Sequence, residues 1–423
     1  MTLFVLRESS AISALLSLKH ERAVLMVDRL LIACLLAATS IGSTLLKAAE
    51  PDRNIIRRGS YTNSQIRFER EKKGHVAFIG GSITEMNGYR PMVCDDLQKR
   101  YPETEFTFTA AGISSTCSTT GAFRLNRDVL SKGPVDLFFI EFAVNDDQDA
   151  GHARQECIRG MEGIIRQCQK HNPNMDIVVT FFVNPEMLAL LQQGKTPVSM
   201  GSHTEVLEHY GVSTIHLARE AANRITAGTL TWDEYGGTHP KPPGNRIGAD
   251  MIARLLDNAW KQPLPPDSKM AAHPLPEELL DMGSYVNGHF QALETATTDG
   301  GWNIVTPDWS SIPGSKRERF TNIPLLCATE PDAQTTVRFT GRAIGAYVVA
   351  GPDAGIVEAS IDGREFKAID LFHRFSKGLH YPRTVMFAAD LAEGDHVLKL
   401  RISRSSHQDS KGHAARIIQF AVN

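Results

Sequence analysis

Between residues 75 and 260 the chain alternates between short apolar runs and longer segments with one apolar face. The apolar runs predict strands at residues 76–79, 106–110, 135–142, 176–182 and 213–216. The longer segments predict helices at residues 89–101, 122–130, 152–171 and 244–260, and a further helix that ends at Ile225. Because strands that alternate with helices form a parallel sheet covered on both faces, we expect a three-layer α/β/α domain.

Beyond Trp260 the pattern changes. A Pro-rich segment at residues 263–284 is predicted to link an α/β domain, residues 50–262, to the rest of the chain. From residue 285 to 423 the chain reads as short strands separated by turns, with clear examples at residues 335–339, 346–349, 357–361 and 396–402. Asp362-Gly363 is typical of a hairpin turn, and we expect this part to be an all-β sandwich.

The first 49 residues are predicted to be an N-terminal extension followed by a secretory signal peptide. Arg29 precedes an apolar run from Leu30 to Leu46 that is short for a membrane-spanning helix. Two alternatives stay open, an uncleaved N-terminal anchor and a lipidated Cys34. With the signal removed we expect no stable membrane span, and a protein that is secreted or periplasmic.

Length, charge and cysteine content narrow the classes of function. The chain has 423 residues, which favours two domains, and its formal net charge of −3 argues against a nucleic-acid partner. Loss of Cys34 with the signal would leave an odd number of cysteines, so at least one thiol is predicted to be unpaired. Cys157 and Cys168 share a helix face but lie about 16 Å apart, too far for a disulfide. No Cys or His spacing is typical of a zinc site, and we expect neither a metal nor a cofactor.

Ser82 is the strongest candidate for a nucleophile. It follows a predicted strand and the pair Gly80-Gly81, at the point where a helix should begin. Ligands of parallel sheets bind beyond the carboxyl ends of the strands, and the free N–H groups of a helix start favour a developing oxyanion. Two alternatives are a serine that only caps the helix and a glycine-rich phosphate cradle. The motif also departs from Gly-x-Ser-x-Gly, because Thr84 stands at the last glycine position.

Three further residues follow later predicted strands. Gly112 follows the second strand, where its N–H is a candidate oxyanion donor, and Asn145 follows the third, where its side-chain amide is another. His239 lies in a Gly-Gly-Thr-His-Pro loop before the closing helix, a position from which an imidazole base can reach Ser82. Taken singly, each of these is more typical of a turn, a cap or a surface residue.

In this order the motifs resemble those of the GDSL-like SGNH hydrolases, a family named for one Ser, Gly, Asn and His in four separate blocks. The matching residues are Ser82, Gly112, Asn145 and His239. The resemblance covers about residues 73–262. It implies a flavodoxin-like α/β/α fold and a serine esterase that needs no metal. It also implies that Ser82 is the nucleophile, that His239 is the base, and that Ser82, Gly112 and Asn145 form the oxyanion hole.

One departure from the family concerns the acid that orients the histidine. The family places an Asp three residues before its His, and here that position is Gly236. We expect Asp233 to take this role, with Glu234 as the alternative. A third arrangement is a Ser–His dyad in which a backbone carbonyl orients the ring.

For the substrate, the leading hypothesis is an acylated carbohydrate, from which the enzyme removes O-acetyl groups. Exposed aromatic side chains would suit a sugar, and the candidates are Trp302, Trp309, Tyr347 and Tyr381. Taken singly, each is more typical of a core or packing residue. The alternatives are hydrolysis of lipid or simple esters, a non-catalytic glycan-binding protein on the same fold, and a β-sandwich that mainly packs against the other domain.

Overall fold

The computed structural model describes residues 53–423, and residues 54–423 form one compact unit. The predicted extension and signal peptide, with Cys34, lie outside the described residues. Within residues 53–423 no helix is both long enough and apolar enough to cross a bilayer. All five cysteines of this part are free thiols, which confirms that Cys157 and Cys168 are not bonded to each other.

A central sheet organises the first half of the described chain. Its strands are β1 (Ile55–Ile56), β2 (Lys73–Gly80), β3 (Glu105–Gly112), β4 (Leu137–Glu141), β5 (Asp176–Thr180) and β6 (Ser213–Ile215). They lie in the order β1-β6-β5-β4-β2-β3, all parallel except the short edge strand β1. Every side chain of β4 and β5 is buried, as expected for strands that are covered on both faces.

Helices connect the strands and cover the sheet. They are α1 (Thr62–Gln65), α2 (Ser82–Glu85), α3 (Tyr89–Arg100), α4 (Ser118–Asp128), α5 (Arg154–His171), α6 (Pro185–Gln192), α7 (Val198–His209), α8 (Leu217–Thr226), α9 (Trp232–Tyr235) and α10 (Pro242–Ala259). Helices α4, α5 and α7 pack together in one layer, and α3, α8 and α10 in the other. The predicted α/β/α fold is therefore confirmed.

The topology of the sheet places the candidate residues side by side. Strand β2 has β3 on one side and β4 on the other, and its last residue, Gly80, pairs in register with Gly112 and Glu141. The chain therefore leaves the sheet towards Ser82, Ile113 and Phe142 from three adjacent strand ends. This is the switch point at which ligands of open α/β sheets bind.

The second half is all-β, as predicted. Its strands are β7 (His289–Gln291), β8 (Ala296–Thr298), β9 (Asn303–Val305), β10 (Leu325–Ala328), β11 (Gln334–Thr340), β12 (Ile344–Ala350), β13 (Ile356–Ile361), β14 (Lys367–Asp370), β15 (Tyr381–Ala388), β16 (Asp395–Ile402) and β17 (Ala415–Val422). They form two antiparallel sheets, β15-β12-β17-β10-β9 with β7 added beside β17, and β14-β13-β16-β11-β8. Side chains of both sheets share one hydrophobic core. Asp362 and Gly363, both with positive φ, begin the turn of the β13–β14 hairpin.

The Pro-rich segment between the halves packs along the first half. Asn63 exchanges two hydrogen bonds with the backbone of Ala271, at 2.8 and 2.9 Å. His273 lies 2.8 Å from the carboxylate of Asp176. The buried carboxylate of Glu162 accepts hydrogen bonds from three successive donors of this segment, the N–H groups of Leu280 and Asp281 and the hydroxyl of Ser284. The segment is thus fastened to the α/β part at several points, unlike a flexible spacer.

Candidate active site

The structure brings Ser82 and His239 into direct contact. Ser82 begins helix α2 immediately beyond strand β2, and His239 lies in the loop between α9 and α10. The Oγ atom of Ser82 lies 2.8 Å from Nε2 of His239. Ser82 is half-buried and His239 is exposed, so a substrate can approach the pair from solvent. This distance is that of a nucleophile hydrogen-bonded to its general base.

Local backbone contacts hold the histidine loop. Gly236 has a φ of 108°, and a Cβ atom added there would lie 2.0 Å from the backbone nitrogen of Lys241. That nitrogen donates to the carbonyl of Tyr235 at 2.9 Å. Asn245 donates to the carbonyl of Pro240, the residue after His239, at 2.6 Å. The loop therefore has no room for the aspartate that the family carries at position 236.

The two candidate acids bind other partners in this structure. Asp233, whose side chain is 92% exposed, accepts a hydrogen bond from Lys241 at 2.9 Å. Glu234 forms a capping box with Thr231 at the start of α9. No hydrogen bond joins either carboxylate to His239 among the described residues. A role for Asp233 in orienting His239 stays a prediction, and the observed contacts fit a Ser–His pair.

The two predicted oxyanion residues also converge on Ser82. A Cβ atom at Gly112 would lie 2.2 Å from the backbone nitrogen of Glu85, so only glycine lets β3 end this close to helix α2. Asn145 is buried, and its side-chain oxygen would lie 2.0 Å from a Cβ at Gly81, the residue before the nucleophile. One N–H of the Asn145 amide donates to Asp149, which fixes the side chain, and the amide has a second N–H that is a candidate donor to a ligand.

A buried carboxyl group that the sequence analysis missed lies beneath the nucleophile. Glu141 ends strand β4 and is fully buried. Neither of its oxygens makes a well-formed hydrogen bond, although the N–H groups of Gly81 and Val144 are directed at the carboxyl group. Burial raises the pKa of Glu141 to about 8, and the nearby Asp146 and Asp149 add to the effect. The group is therefore largely protonated near neutral pH, which avoids a bare charge beside Ser82.

A fully buried arginine, also missed, ties the strand ends together. Arg124 of helix α4 donates to the carbonyl of Gly80 at 2.9 Å and to that of Ala111 at 2.7 Å. It also pairs with Asp128 at 3.1 Å. The two carbonyls belong to the strands that carry Ser82 and Gly112, so Arg124 fixes the spacing between the nucleophile and an oxyanion donor.

The all-β half contacts the loops that carry the oxyanion residues. Arg317 donates to the carbonyl of Ser114 and, at 2.7 Å, to the hydroxyl of Ser115, just beyond Gly112. A ring nitrogen of His373 lies 2.8 Å from the carbonyl oxygen of Asp149, close to Asn145. The second half of the chain therefore supports the site.

Residues 78–247, which span all four motifs, match the GDSL-like lipase/acylhydrolase family. This part of the chain is a GDSL-like hydrolase domain. With Ser82 against His239 at its switch point, the domain is of the carboxylic ester hydrolase type. No protein of curated function matches the chain.

Solved structures of esterases resemble this chain. Two structures of a two-domain esterase active on acetylated mannans, one of them with mannopentaose, have TM-scores of 0.69 and 0.70. They are 20% identical to this chain and cover 87% of it, and the match spans 96% and 97% of their own lengths. An acetylxylan esterase from Geobacillus stearothermophilus, also 20% identical, matches 43% of this chain and 94% of its own, with a TM-score of 0.35.

The structure favours a packing role for the four aromatic side chains that were candidates for a sugar platform. Trp302, Tyr347 and Tyr381 are only 1–2% exposed. The indole N–H of Trp302 donates to the carbonyl of Ala333 within the β core. Trp309 is half-buried and lies edge-on to His380. These rings therefore pack within the protein. Burial of a large aromatic side chain stabilises the fold more than its exposure to solvent does.

Proposed function

We propose that the protein is a secreted serine esterase that removes O-acetyl groups from carbohydrate through an acyl-enzyme intermediate. The observation that carries the proposal is the 2.8 Å contact between Ser82 Oγ and His239 Nε2 at the switch point of the sheet. Secretion rests on the signal-like pattern of the N-terminal residues.

The reaction proceeds by double displacement. His239 takes the proton of Ser82 as Oγ attacks the ester carbonyl. The N–H groups of Ser82 and Gly112 and the free N–H of Asn145 stabilise the tetrahedral oxyanion. His239 then protonates the leaving alcohol, and water repeats the sequence to release acetate and restore Ser82. His239 can accept this proton only in its neutral form.

Two features favour a carbohydrate ester. Because His239 is exposed and Ser82 half-buried, the acyl group of a large hydrophilic substrate can reach the pair while the rest stays in solvent. The two-domain esterase with a similar fold acts on acetylated mannans, so this substrate is the first to test. Hydrolysis of lipid or simple esters is the second candidate.

The test is acetate release from acetylated mannan, acetylated xylan and an aryl acetate, with wild type beside Ser82→Ala and His239→Ala. We expect wild type to release acetate from a polysaccharide and both variants to lose activity by a factor on the order of 10⁴ or more. Activity on the aryl acetate alone would favour a simple-ester hydrolase. Acetate release that is equal in wild type and Ser82→Ala would refute the assignment. Glycan binding without any turnover would instead indicate a non-catalytic glycan-binding protein.

A further inference from the structure

A second group of reactive side chains lies buried outside the Ser82–His239 pair, near the starts of helices α4 and α5. Cys117, Asp146 and His152 each offer one potential ligand atom, and these atoms lie within 4.8 Å of one another. Asp146 also belongs to a second such group with Cys157 and His203. Thiolate, imidazole and carboxylate are the side-chain ligands that Zn²⁺ takes in proteins.

His152 has a ring nitrogen without a well-formed hydrogen bond. Its Nδ1 atom is buried, and the side chains of Asp146 and Cys117 lie near the ring. This nitrogen lies 3.7 Å from Oδ1 of Asp146, too far for a hydrogen bond. When two ligand atoms each lie about 2.0–2.2 Å from one tetrahedral ion, the separation between the two ligand atoms is close to the one seen here. A cation between the two atoms would give the ring nitrogen a direct partner in place of this long contact.

The carboxylate of Asp146 is oriented for such a role. Its Oδ2 atom accepts a hydrogen bond from the hydroxyl of Ser118 at 2.6 Å and lies 2.8 Å from Nε2 of His203. Its Oδ1 atom accepts the N–H of Ser118 at 2.7 Å and lies on the side of His152. Hydrogen bonds of this kind fix the orientation of metal ligands.

The group opens on one side into a cavity of about 220 Å³ between the two halves of the chain. Cys117 and His152 line this cavity together with Asp149 and Tyr381, whereas Cys157 and His203 are buried away from it. Three protein ligands with a fourth position open to a cavity is the arrangement of zinc sites that bind an exchangeable water or substrate, while structural zinc sites are closed by four protein ligands.

We propose that Cys117, Asp146 and His152 bind a thiophilic divalent transition-metal ion, of which Zn²⁺ fits best, with the fourth position facing the cavity. On binding, the Cys117 thiol loses its proton to solvent and the sulfur coordinates as thiolate. The sequence shows no zinc-like spacing because Cys117, at the start of α4, is far along the chain from Asp146 and His152, which lie in the connection between β4 and α5. The site does not depend on the esterase assignment.

The test uses Co²⁺ and Zn²⁺ with the full chain freed of metal by a chelator. We expect one equivalent of Co²⁺ to bind with a thiolate-to-metal absorption band, which Zn²⁺ displaces. Cys117→Ser should lose the band and weaken binding at least about tenfold. Cys168→Ser is the matched control, since this buried thiol of α5 belongs to neither group, and it should retain the band. A band kept by Cys117→Ser but lost in Cys157→Ser would overturn the proposal in favour of the deeper group.

A measurement on the wild-type chain tests the site without any variant, so its result does not depend on whether a variant folds. Zn²⁺ should slow alkylation of Cys117 by iodoacetamide at least about tenfold, as mapped by peptide mass spectrometry, because a coordinated thiolate is shielded. The rates at Cys94 and Cys327 should not change. Absence of a thiolate band in wild type, or an alkylation rate at Cys117 that Zn²⁺ leaves unchanged, would refute the site.

Discussion

At the scale of the residue, the proposed catalysis depends on how His239 is held. The loop geometry excludes a side chain at Gly236, and Asp233 is bound to Lys241 instead of the imidazole. The histidine is then positioned by its backbone, through Pro240 and Asn245. An enzyme with such a dyad loses the stabilisation that a third carboxylate gives to the imidazolium.

Asp233→Asn distinguishes a dyad from a triad. Because Asp233 is exposed and paired with Lys241, we expect kcat to fall by less than about tenfold. Loss of the acid of a true triad lowers kcat by a factor of about 10⁴. The measurement is steady-state turnover of an aryl acetate, with Glu234→Gln as the matched control. A fall near 10⁴ for Asp233→Asn alone would establish Asp233 as the third member.

Glu141 makes a prediction about stability and pH. Burial raises its pKa from 4.5 to about 8 in the folded chain, so the unfolded state releases this proton at lower pH than the folded state does. The contribution of the neutral carboxyl group to the free energy of unfolding is fully present below about pH 4.5, and it is lost as pH rises towards about 8. Relative to wild type, Glu141→Gln should therefore gain free energy of unfolding across this window, by up to a few kcal/mol.

Urea unfolding at about pH 5 and about pH 9 checks this prediction, because the difference between the two proteins should grow with pH. Asp257→Asn, which alters an exposed carboxylate, serves as the control and should show little change. A difference between Glu141→Gln and wild type that stays constant with pH would contradict a raised pKa.

At the scale of the elements, the site is a set of strand ends held at fixed spacing. Arg124 fixes β2 against β3 from within, and Arg317 holds the loop after β3 from the all-β half. Ser115 of that loop has a φ of 71°, a conformation that non-glycine residues seldom adopt without support. The loop is therefore expected to relax when its outer contacts are removed.

Arg317→Ala should lower kcat about ten- to hundredfold with little change in KM, since small displacements of an oxyanion donor cost this much. The comparison is Arg404→Ala, which removes an exposed arginine that pairs with Asp332 in the all-β half. Steady-state kinetics and a thermal melt of each variant separate a local effect from unfolding. An unchanged kcat in Arg317→Ala would show that the contact is dispensable.

The elements also show what the sequence could predict. Continuous apolar runs such as residues 76–79 and 135–142 predicted the strands that became β2 and β4, and glycines marked where the chain turns at Ser82 and Gly112. These are local signals. Glu141 and Arg124 could not be predicted, because a charged residue in an apolar run reads as exposed until the fold supplies its neighbours. The cluster of Cys117, Asp146 and His152 could not be predicted either, because Cys117 is far along the chain from the other two residues.

At the scale of the whole molecule, the two halves share one structure. Tyr285, which lies just beyond the Pro-rich segment, is fully buried in the core of the first half, and its hydroxyl donates to Glu156 at 2.8 Å. Arg159 pairs with Asp281 and with Asp390 of the all-β half. Composition identified the segment as Pro-rich, but only the folded chain shows where it packs.

Residues 50–262 expressed alone should therefore be unstable. The fragment lacks the segment that covers Glu162, and it lacks Tyr285, which is buried in the core of the first half, so apolar surface is exposed to water. We expect a lower Tm and binding of a hydrophobic dye, and residues 50–288 should recover part of the loss because they restore this cover. A fragment 50–262 that melts cooperatively at the Tm of the full chain and keeps its activity would contradict this account.

A fluorophosphonate probe tests whether His239 activates Ser82 as a nucleophile, and it does so without assuming a substrate. Intact-mass and peptide mass spectrometry of the full chain should show one adduct, located on Ser82. The adduct should be absent in Ser82→Ala, and His239→Ala should form it far more slowly. No adduct, or an adduct at another serine that persists in Ser82→Ala, would contradict the account.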